Sequence, residues 1–329
     1  MSSAPTENVA TATNAGRTTP ARALFAIFAL LLVAAACSGG GEDVAQPDES
    51  TTDSTTDGAS ADTDADDPAP DALGFGGPVT VVIPNSPGSV STNGEQRIMT
   101  AVLGSGANPF LGGAELPVTV SFDAVNSDDS GEVESTYLKT EEAPLGLYVS
   151  YFEFPSPGLW EITLSSNGTE IGQTLFEVID DSPIPTIGDE APSTDSLVAS
   201  TPDEIATIST DQDPVPGFYD LSIAEAISND RPTVVAFVTP AFCQTALCGP
   251  TLETVKAATA DRDDLDVVHV EPFDLELAPQ GVLVPILSMD DWGLQTEPWV
   301  FVIDADGIVT ATFEGIIGLD ELERALAEL

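Results

Sequence analysis

Short apolar runs alternate with segments rich in Gly, Pro, Asn and Asp throughout residues 77–180. Their spacing shows no sustained helical period, so strands are favoured over helices. The predicted strands lie at 79–83, 97–103, 117–122, 147–154, 160–164 and 171–179. Short strands at this spacing predict a β-sandwich of about 100 residues.

From residue 216 onwards the pattern alternates between strands and helices. Ser222 and Glu225 have the spacing of a capping box, which predicts a helix. The apolar, β-branched residues 232–239 predict a strand that is covered on both faces, and a helix is predicted at 251–260 with Pro250 at its first position. The other predicted elements are strands at 266–271, 299–304 and 308–313, a hairpin at 304–307, and a closing amphipathic helix from Leu319 with Leu322, Leu326 and Leu329 on one face. An α/β fold is therefore expected here.

Two cysteines, Cys243 and Cys248, lie between the first of these strands and its helix. Residues five apart in one continuous helix point about 140° away from each other, which does not suit a disulfide. Both cysteines are therefore expected in the loop and the first helical turn. Unpaired backbone N–H groups at a helix N-terminus stabilise a thiolate and make it a better nucleophile. This argument favours Cys248, directly before Gly249 and Pro250, while Cys243 precedes it on the exposed turn.

Around these residues the chain resembles the thioredoxin superfamily. The resemblance rests on the strand at 232–239, the cysteine loop and its helix, the strand at 266–271, and Glu297-Pro298 leading into the strand at 299–304. It covers residues 216–329 and implies a β-α-β unit followed by a β-β-α unit. It also implies that Pro298 is a cis-proline facing the cysteine loop, so Cys243, Cys248 and Pro298 are the predicted catalytic residues. Alignment by distance from Phe237 favours Cys243 as the attacking thiol, so the choice between the two cysteines stays open.

The same comparison shows departures from a typical thioredoxin. Four residues separate Cys243 from Cys248, where a typical thioredoxin has two, so the redox potential cannot be inherited from the family. The buried acid of the first strand is replaced by Ala236. Glu297, directly before Pro298, would raise the pKa of a nearby thiol if it lies close to the loop.

Two other activities on a similar fold are alternatives. The four-residue spacing also resembles that of peroxiredoxins of the bacterioferritin-comigratory type, and Thr239-Pro240 resembles the residues before their peroxidatic cysteine. However, only Arg262 and Arg324 follow to polarise a peroxide. The other alternative is a noncatalytic envelope binding protein whose domain recognises a partner or copper. A copper chaperone of Sco type would need two cysteines and a histidine, but His269 lies inside a predicted strand, where a hydrogen-bonded core histidine is expected.

A purely structural disulfide is a further interpretation of the two cysteines, and it is common outside the cytoplasm. The loop that Cys243 and Cys248 would close is short, so cross-linking it would remove little entropy from the unfolded chain. Redox use is therefore favoured.

The N-terminal residues resemble a bacterial lipoprotein signal. Arg17 and Arg22 precede an apolar stretch at 23–36 that has the length of a secretory signal and is short for a membrane span. The small residues at 34–36 stand directly before Cys37. The resemblance implies a signal peptide and lipidated Cys37 at 1–37, and an extracytoplasmic protein that is lipid-anchored to the bacterial cell membrane.

Residues 38–76 predict a disordered acidic linker. They contain eleven acidic residues and no Lys or Arg. With Ser, Thr, Gly and Ala filling most other positions, this segment cannot bury enough apolar surface to fold. We expect it to act as a tether between the membrane and the folded part.

The charge of the chain excludes one class of partner. It contains 8 basic and 55 acidic residues, giving a formal net charge of −47. Nucleic acid is therefore not expected as a partner, because phosphate binding requires basic residues. No spaced calcium-loop pattern supports a specific site for a divalent cation. Neither a metal site nor a cofactor is predicted.

The predicted domains are completed by two further segments. Residues 146–165 resemble immunoglobulin-like modules of YtkA type, and this resemblance extends to 77–180, with Trp160 expected in the core. Residues 181–215 predict a connector, although 185–192 resemble the lead-in peptide of redoxin domains and could pack on the domain at 216–329.

The predicted function is thiol:disulfide oxidoreductase, with protein or small-molecule thiols and disulfides as partners.

Overall fold

The structure is a computed structural model that describes residues 73–105, 110–139, 146–244 and 246–329. The predicted signal peptide, Cys37 and nearly all of the predicted linker lie outside these ranges. Within the described ranges, none of the helices combines the length and apolar character needed to span a membrane.

Among the described residues between 80 and 178, nine strands, β1 to β9 in chain order, form two antiparallel sheets; we call this part the β region. The first sheet contains β1 (Thr80–Val82), β2 (Glu95–Leu103), β3 (Phe110–Leu111), β6 (Thr136–Lys139) and β7 (Gly146–Glu153). The second contains β4 (Thr119–Ala124), β5 (Ser130–Glu134), β8 (Gly158–Ser166) and β9 (Thr169–Val178). Each of the six predicted strands overlaps one observed strand, whereas β3, β5 and β6 were not predicted.

Inward-facing residues of both sheets share one apolar core. Val102 from the first sheet and Phe122 from the second belong to this cluster. Trp160 is fully buried there and donates its indole N–H to the carbonyl of Ser156. The expectation that Trp160 lies in the core is confirmed, and the immunoglobulin-like assignment stays a prediction.

The rest of the chain, residues 181–329, forms what we call the α/β region. Its four-stranded sheet contains β10 (Thr233–Phe237), β11 (Asp266–Val270), β12 (Trp299–Ile303) and β13 (Val309–Glu314), in the order β11-β10-β12-β13. β10 and β11 are parallel, and the other pairs are antiparallel. The helices are α1 (Pro202–Ile208), α2 (Ile223–Ile227), α3 (Cys248–Thr259), α4 (Leu287–Asp291) and α5 (Leu319–Ala327), with 3-10 turns at Pro216–Tyr219 and Ala278–Gln280.

This sheet is covered by helices on both faces. Alternate residues of a strand point to opposite faces, and in β10 Val234 and Ala236 pack with α3 and α5, whereas Val235 and Phe237 pack with α2 and α4. The result is the β-α-β unit followed by a β-β-α unit that the sequence pattern predicts.

Two local features of the α/β region differ from the sequence expectation. Helix α3 begins at Cys248 and not at Pro250, so Pro250 is its third residue. The predicted connector contains α1, which begins with a complete capping box between Thr201 and Glu204. Ile184, Ala199 and Ile205 of this segment are buried in the cores of the α/β region, which therefore extend to residues before 216.

Candidate active site

The two cysteines lie at the end of the sheet where β10 runs into α3. Cys243 is half-buried in the loop, and Cys248 is fully buried as the first residue of α3. The two sulfur atoms lie within 4.8 Å of each other. Both cysteines are therefore in the loop and the first helical turn, close enough for a modest movement to join them.

The backbone of Cys248 donates a hydrogen bond to the sulfur of Cys243, with 3.2 Å between N and Sγ. The first N–H groups of a helix have no acceptor inside the helix, and here one of them is directed at the other cysteine. An N–H donor stabilises a thiolate more than a thiol. The helix N-terminus thus favours the thiolate at Cys243, although Cys248 is the residue that belongs to the helix.

Cys248 is in an environment that disfavours its ionisation. A side-chain hydrogen bond between the Cys248 thiol and Cys243, together with burial, raises the pKa of the Cys248 thiol far above the usual range, and the negative charge of Glu297 adds to this effect. An interaction with the backbone of Thr239 opposes the rise only in part. Cys248 is therefore the thiol of the pair that keeps its proton.

Glu297 and Pro298 form the loop that leads into β12 beside the cysteines. The peptide bond between them is cis, and both residues are buried. A carboxylate oxygen of Glu297 lies within 4.8 Å of both sulfurs, and Oε1 accepts a hydrogen bond from the backbone N–H of Gln244 at 3.3 Å. Burial raises the pKa of Glu297. The Glu297 carboxylate is therefore close enough to repel negative charge on either sulfur.

The same three side chains are the donors that could reach a single metal ion. The two sulfurs and the Glu297 carboxylate lie within 4.8 Å of one another. Two thiolates with a carboxylate suit a zinc-like ion better than calcium or magnesium. Such an ion would occupy both sulfurs and would therefore compete with disulfide formation.

His269 has a structural position and is not one of these donors. It is buried in β11, where Nε2 lies 2.8 Å from the carbonyl oxygen of Val238 and Nδ1 lies 2.8 Å from the hydroxyl of Tyr219. Because a carbonyl can only accept, Nε2 carries the proton and Nδ1 accepts from Tyr219. Both ring nitrogens are thus engaged, as the expectation of a hydrogen-bonded core histidine requires. This arrangement gives no support to a copper site of two cysteines and a histidine.

The two arginines considered for a peroxidase make other interactions. Arg262 binds Asp264 and the carbonyl of Leu326, and Arg324 donates to the carbonyl of Asp320. Neither of these contacts brings a guanidinium group to the sulfurs, so the alternative of a peroxidase gains no support from the two arginines.

Some solved structures are similar to part of the chain. No family model and no curated protein matches the chain. MTB DsbF in mixed oxidised and reduced forms is 20% identical with a TM-score of 0.24, over 30% of this chain and 81% of that chain. The exposed lipoprotein thioredoxin Etrx1 from Streptococcus pneumoniae strain TIGR4 is 18% identical with a TM-score of 0.24, over 31% and 87%. A thioredoxin-family thiol:disulfide interchange protein from Chlorobium tepidum TLS is 18% identical with a TM-score of 0.25, over 44% and 97%.

The α/β region has the order of strands and helices that was expected from the sequence. Its strand order, its helices on both faces and the position of the cysteine pair at the start of α3 agree with the fold that the sequence resembles.

Proposed function

We propose that the chain is a thiol:disulfide oxidoreductase in which Cys243 attacks and Cys248 resolves. The observation that carries this proposal is the hydrogen bond from the Cys248 backbone to the Cys243 sulfur, with the second sulfur within 4.8 Å. Cys243 is also the more exposed of the two, so a substrate reaches it first. The attacking residue that the sequence left open is therefore assigned to Cys243.

The reaction proceeds in two exchanges. The Cys243 thiolate attacks one sulfur of a substrate disulfide, forms a mixed disulfide and releases the other substrate sulfur as a thiolate. Cys248 then attacks the Cys243 sulfur, its proton passes to the departing substrate sulfur, and the Cys243–Cys248 disulfide forms. The substrate disulfide has gained two electrons and the protein has lost them. The reverse sequence oxidises a substrate dithiol.

Trapping of the mixed disulfide tests the assignment. In the full chain carrying Cys37→Ser, we expect Cys248→Ser to retain a covalent adduct with a model disulfide, because the resolving thiol is missing. Cys243→Ser is the matched variant and should form an adduct at least tenfold more slowly, because only the buried thiol remains. Mass spectrometry identifies the modified residue. Adducts on neither variant, with no reduction of the model disulfide by the parent chain, would overturn the proposal.

The proposal includes a location for this activity. Support comes from the basic residues Arg17 and Arg22, the short apolar stretch after them, and the small residues before Cys37. We infer an extracytoplasmic protein held to the membrane by lipid on Cys37. Incorporation of labelled fatty acid into the parent chain, and its loss in Cys37→Ser, is the expected result; equal labelling of both would exclude this anchor.

The β region completes the proposed organisation. Two antiparallel sheets around one core support an immunoglobulin-like β-sandwich at 77–180. The acidic segment at 38–76 would separate this folded part from the membrane.

A further inference from the structure

Leu247 is a buried residue in the segment that separates the two cysteines. It directly precedes Cys248, stands at the N-cap position of α3 and is 8% exposed. Its side chain belongs to an apolar cluster with Ile316 and four residues of the β region: Met99, Ala101, Leu147 and Val149. One side of the cysteine loop therefore packs on strands β2 and β7.

Strand β2 has two buried faces with different partners. Ile98 faces the core between the two sheets of the β region, whereas its neighbour Met99 faces the cluster with Leu247. Both side chains are almost completely buried. Substitution of Ile98 therefore tests the core of the β region, whereas substitution of Met99 tests the cluster that contains Leu247.

Gly315 lies against both Met99 and Leu247. A Cβ atom at Gly315 would stand 3.1 Å from Sδ of Met99 and 3.7 Å from Cδ1 of Leu247. The Gly315 N–H donates to the carbonyl of Pro298 at 2.9 Å, and its carbonyl accepts from the hydroxyl of Thr251 in α3 at 3.0 Å. Met99 therefore touches the residue that joins the Glu297-Pro298 loop to α3.

We propose that Met99 is a positioning residue of the cysteine pair. By holding Leu247 and Gly315, it keeps the first turn of α3 in the orientation that directs the Cys248 N–H to the Cys243 sulfur. The β region is on this view a part of the redox site and not only a spacer. The proposal rests on the proposed function for its catalytic consequence, but the contact itself is tested through the reactivity of Cys243.

The test compares Met99→Ala with Ile98→Ala in the full chain carrying Cys37→Ser. Alkylation of Cys243 is followed by mass spectrometry as a function of pH, and thermal unfolding is recorded in parallel. Both variants should lower the melting temperature, since each opens a cavity. Only Met99→Ala should move the midpoint of the alkylation profile upwards, by about 0.5 pH unit, because the helix N–H is less well aimed at the sulfur.

Two further variants keep the test decisive. Met99→Leu, which conserves the volume, should restore the midpoint of the parent chain. Leu247→Ala removes the side chain that the cysteine loop contributes to the same cluster, and it should raise the midpoint in the same direction even if Met99→Ala fails to fold. Equal midpoints in the parent chain, Met99→Ala and Leu247→Ala would overturn the proposal. A trapped adduct at Cys243 together with such equal midpoints would leave the proposed function standing and remove only this inference.

Discussion

The guanidinium group of Arg97 in β2 binds the carboxylate of Glu321 in α5, with 2.9 Å between Nε and Oε1. The two side chains are only 5% and 6% exposed. Arg97 also donates to the carbonyl oxygens of Glu314 and Ile316 at 2.9 and 2.7 Å. Burial alone would raise the pKa of Glu321, but the charge and hydrogen bonds of Arg97 outweigh burial and lower it. Arg97 therefore joins the β region to α5 through the ion pair, and to the residues on either side of Gly315 through its other two hydrogen bonds.

We expect Arg97→Met to lower the free energy of unfolding by about 3 to 5 kcal/mol, because it leaves the Glu321 carboxylate buried without its cation. Urea denaturation at pH 7 measures the loss. The control is Arg262→Met, which removes an ion pair with the largely exposed Asp264 and should cost about 1 kcal/mol or less. Equal losses in the two variants would contradict the structural role of Arg97.

Gly315 offers a second test of the contact between the β region and the loop that contains Gly315. Its φ is +73°, a conformation that costs a residue with a Cβ about 1 to 2 kcal/mol, and the added Cβ would press on Met99. We therefore expect Gly315→Ala to lower the free energy of unfolding by about 2 kcal/mol or more. Gly249→Ala is the matched control, since Gly249 lies in α3 with no atom within 4 Å of the added Cβ and should be neutral or slightly stabilised. A loss at Gly249 as large as that at Gly315 would count against this reading.

Local pattern predicts most of this fold, because strands, caps and turns depend on neighbouring residues. The strand at 232–239 and the capping box at Ser222 are examples. Strand β5 was missed because its sequence, Ser-Gly-Glu-Val-Glu, is polar and only partly buried. Helix α1 was missed because its composition is typical of a connector, although Thr201 and Glu204 have the spacing of a capping box.

The site could be predicted less completely than the fold. The cysteine pair and Pro298 follow from the sequence, but the choice of attacking cysteine depends on where α3 begins and where its first N–H points. Such a detail lies below the accuracy of a predicted helix boundary. Leu247 and Met99 belong to one apolar cluster although they are far apart in the chain, and a local pattern in the sequence cannot predict this.

His269 predicts a pH dependence of stability. Burial lowers the pKa of His269 to about 4, while an unfolded histidine has a pKa near 6.5. Between these two pH values the unfolded chain binds a proton at His269, whereas the folded chain does not. The free energy of unfolding therefore falls by about 3 kcal/mol as the pH is lowered from about 6.5 to about 4. His269→Gln keeps a donor for the Val238 carbonyl but does not titrate. We expect the difference in unfolding free energy between the parent chain and this variant to shrink from pH 7 to pH 5; a constant difference would refute the assignment.

Glu297→Gln tests the electrostatics of the resolving step. The negative charge of Glu297 contributes to the raised pKa of Cys248, so a neutral amide should let Cys248 ionise at lower pH. Starting from a preformed mixed disulfide on Cys243, we expect Glu297→Gln to release the substrate thiol about threefold faster at pH 7, equivalent to a shift of about half a pH unit. Glu297→Asp, which keeps the charge, is the control and should not show this acceleration. Slower release from Glu297→Gln than from the parent chain would mean that the carboxylate promotes resolution, for instance by accepting the Cys248 proton, and would reverse the role assigned to it here.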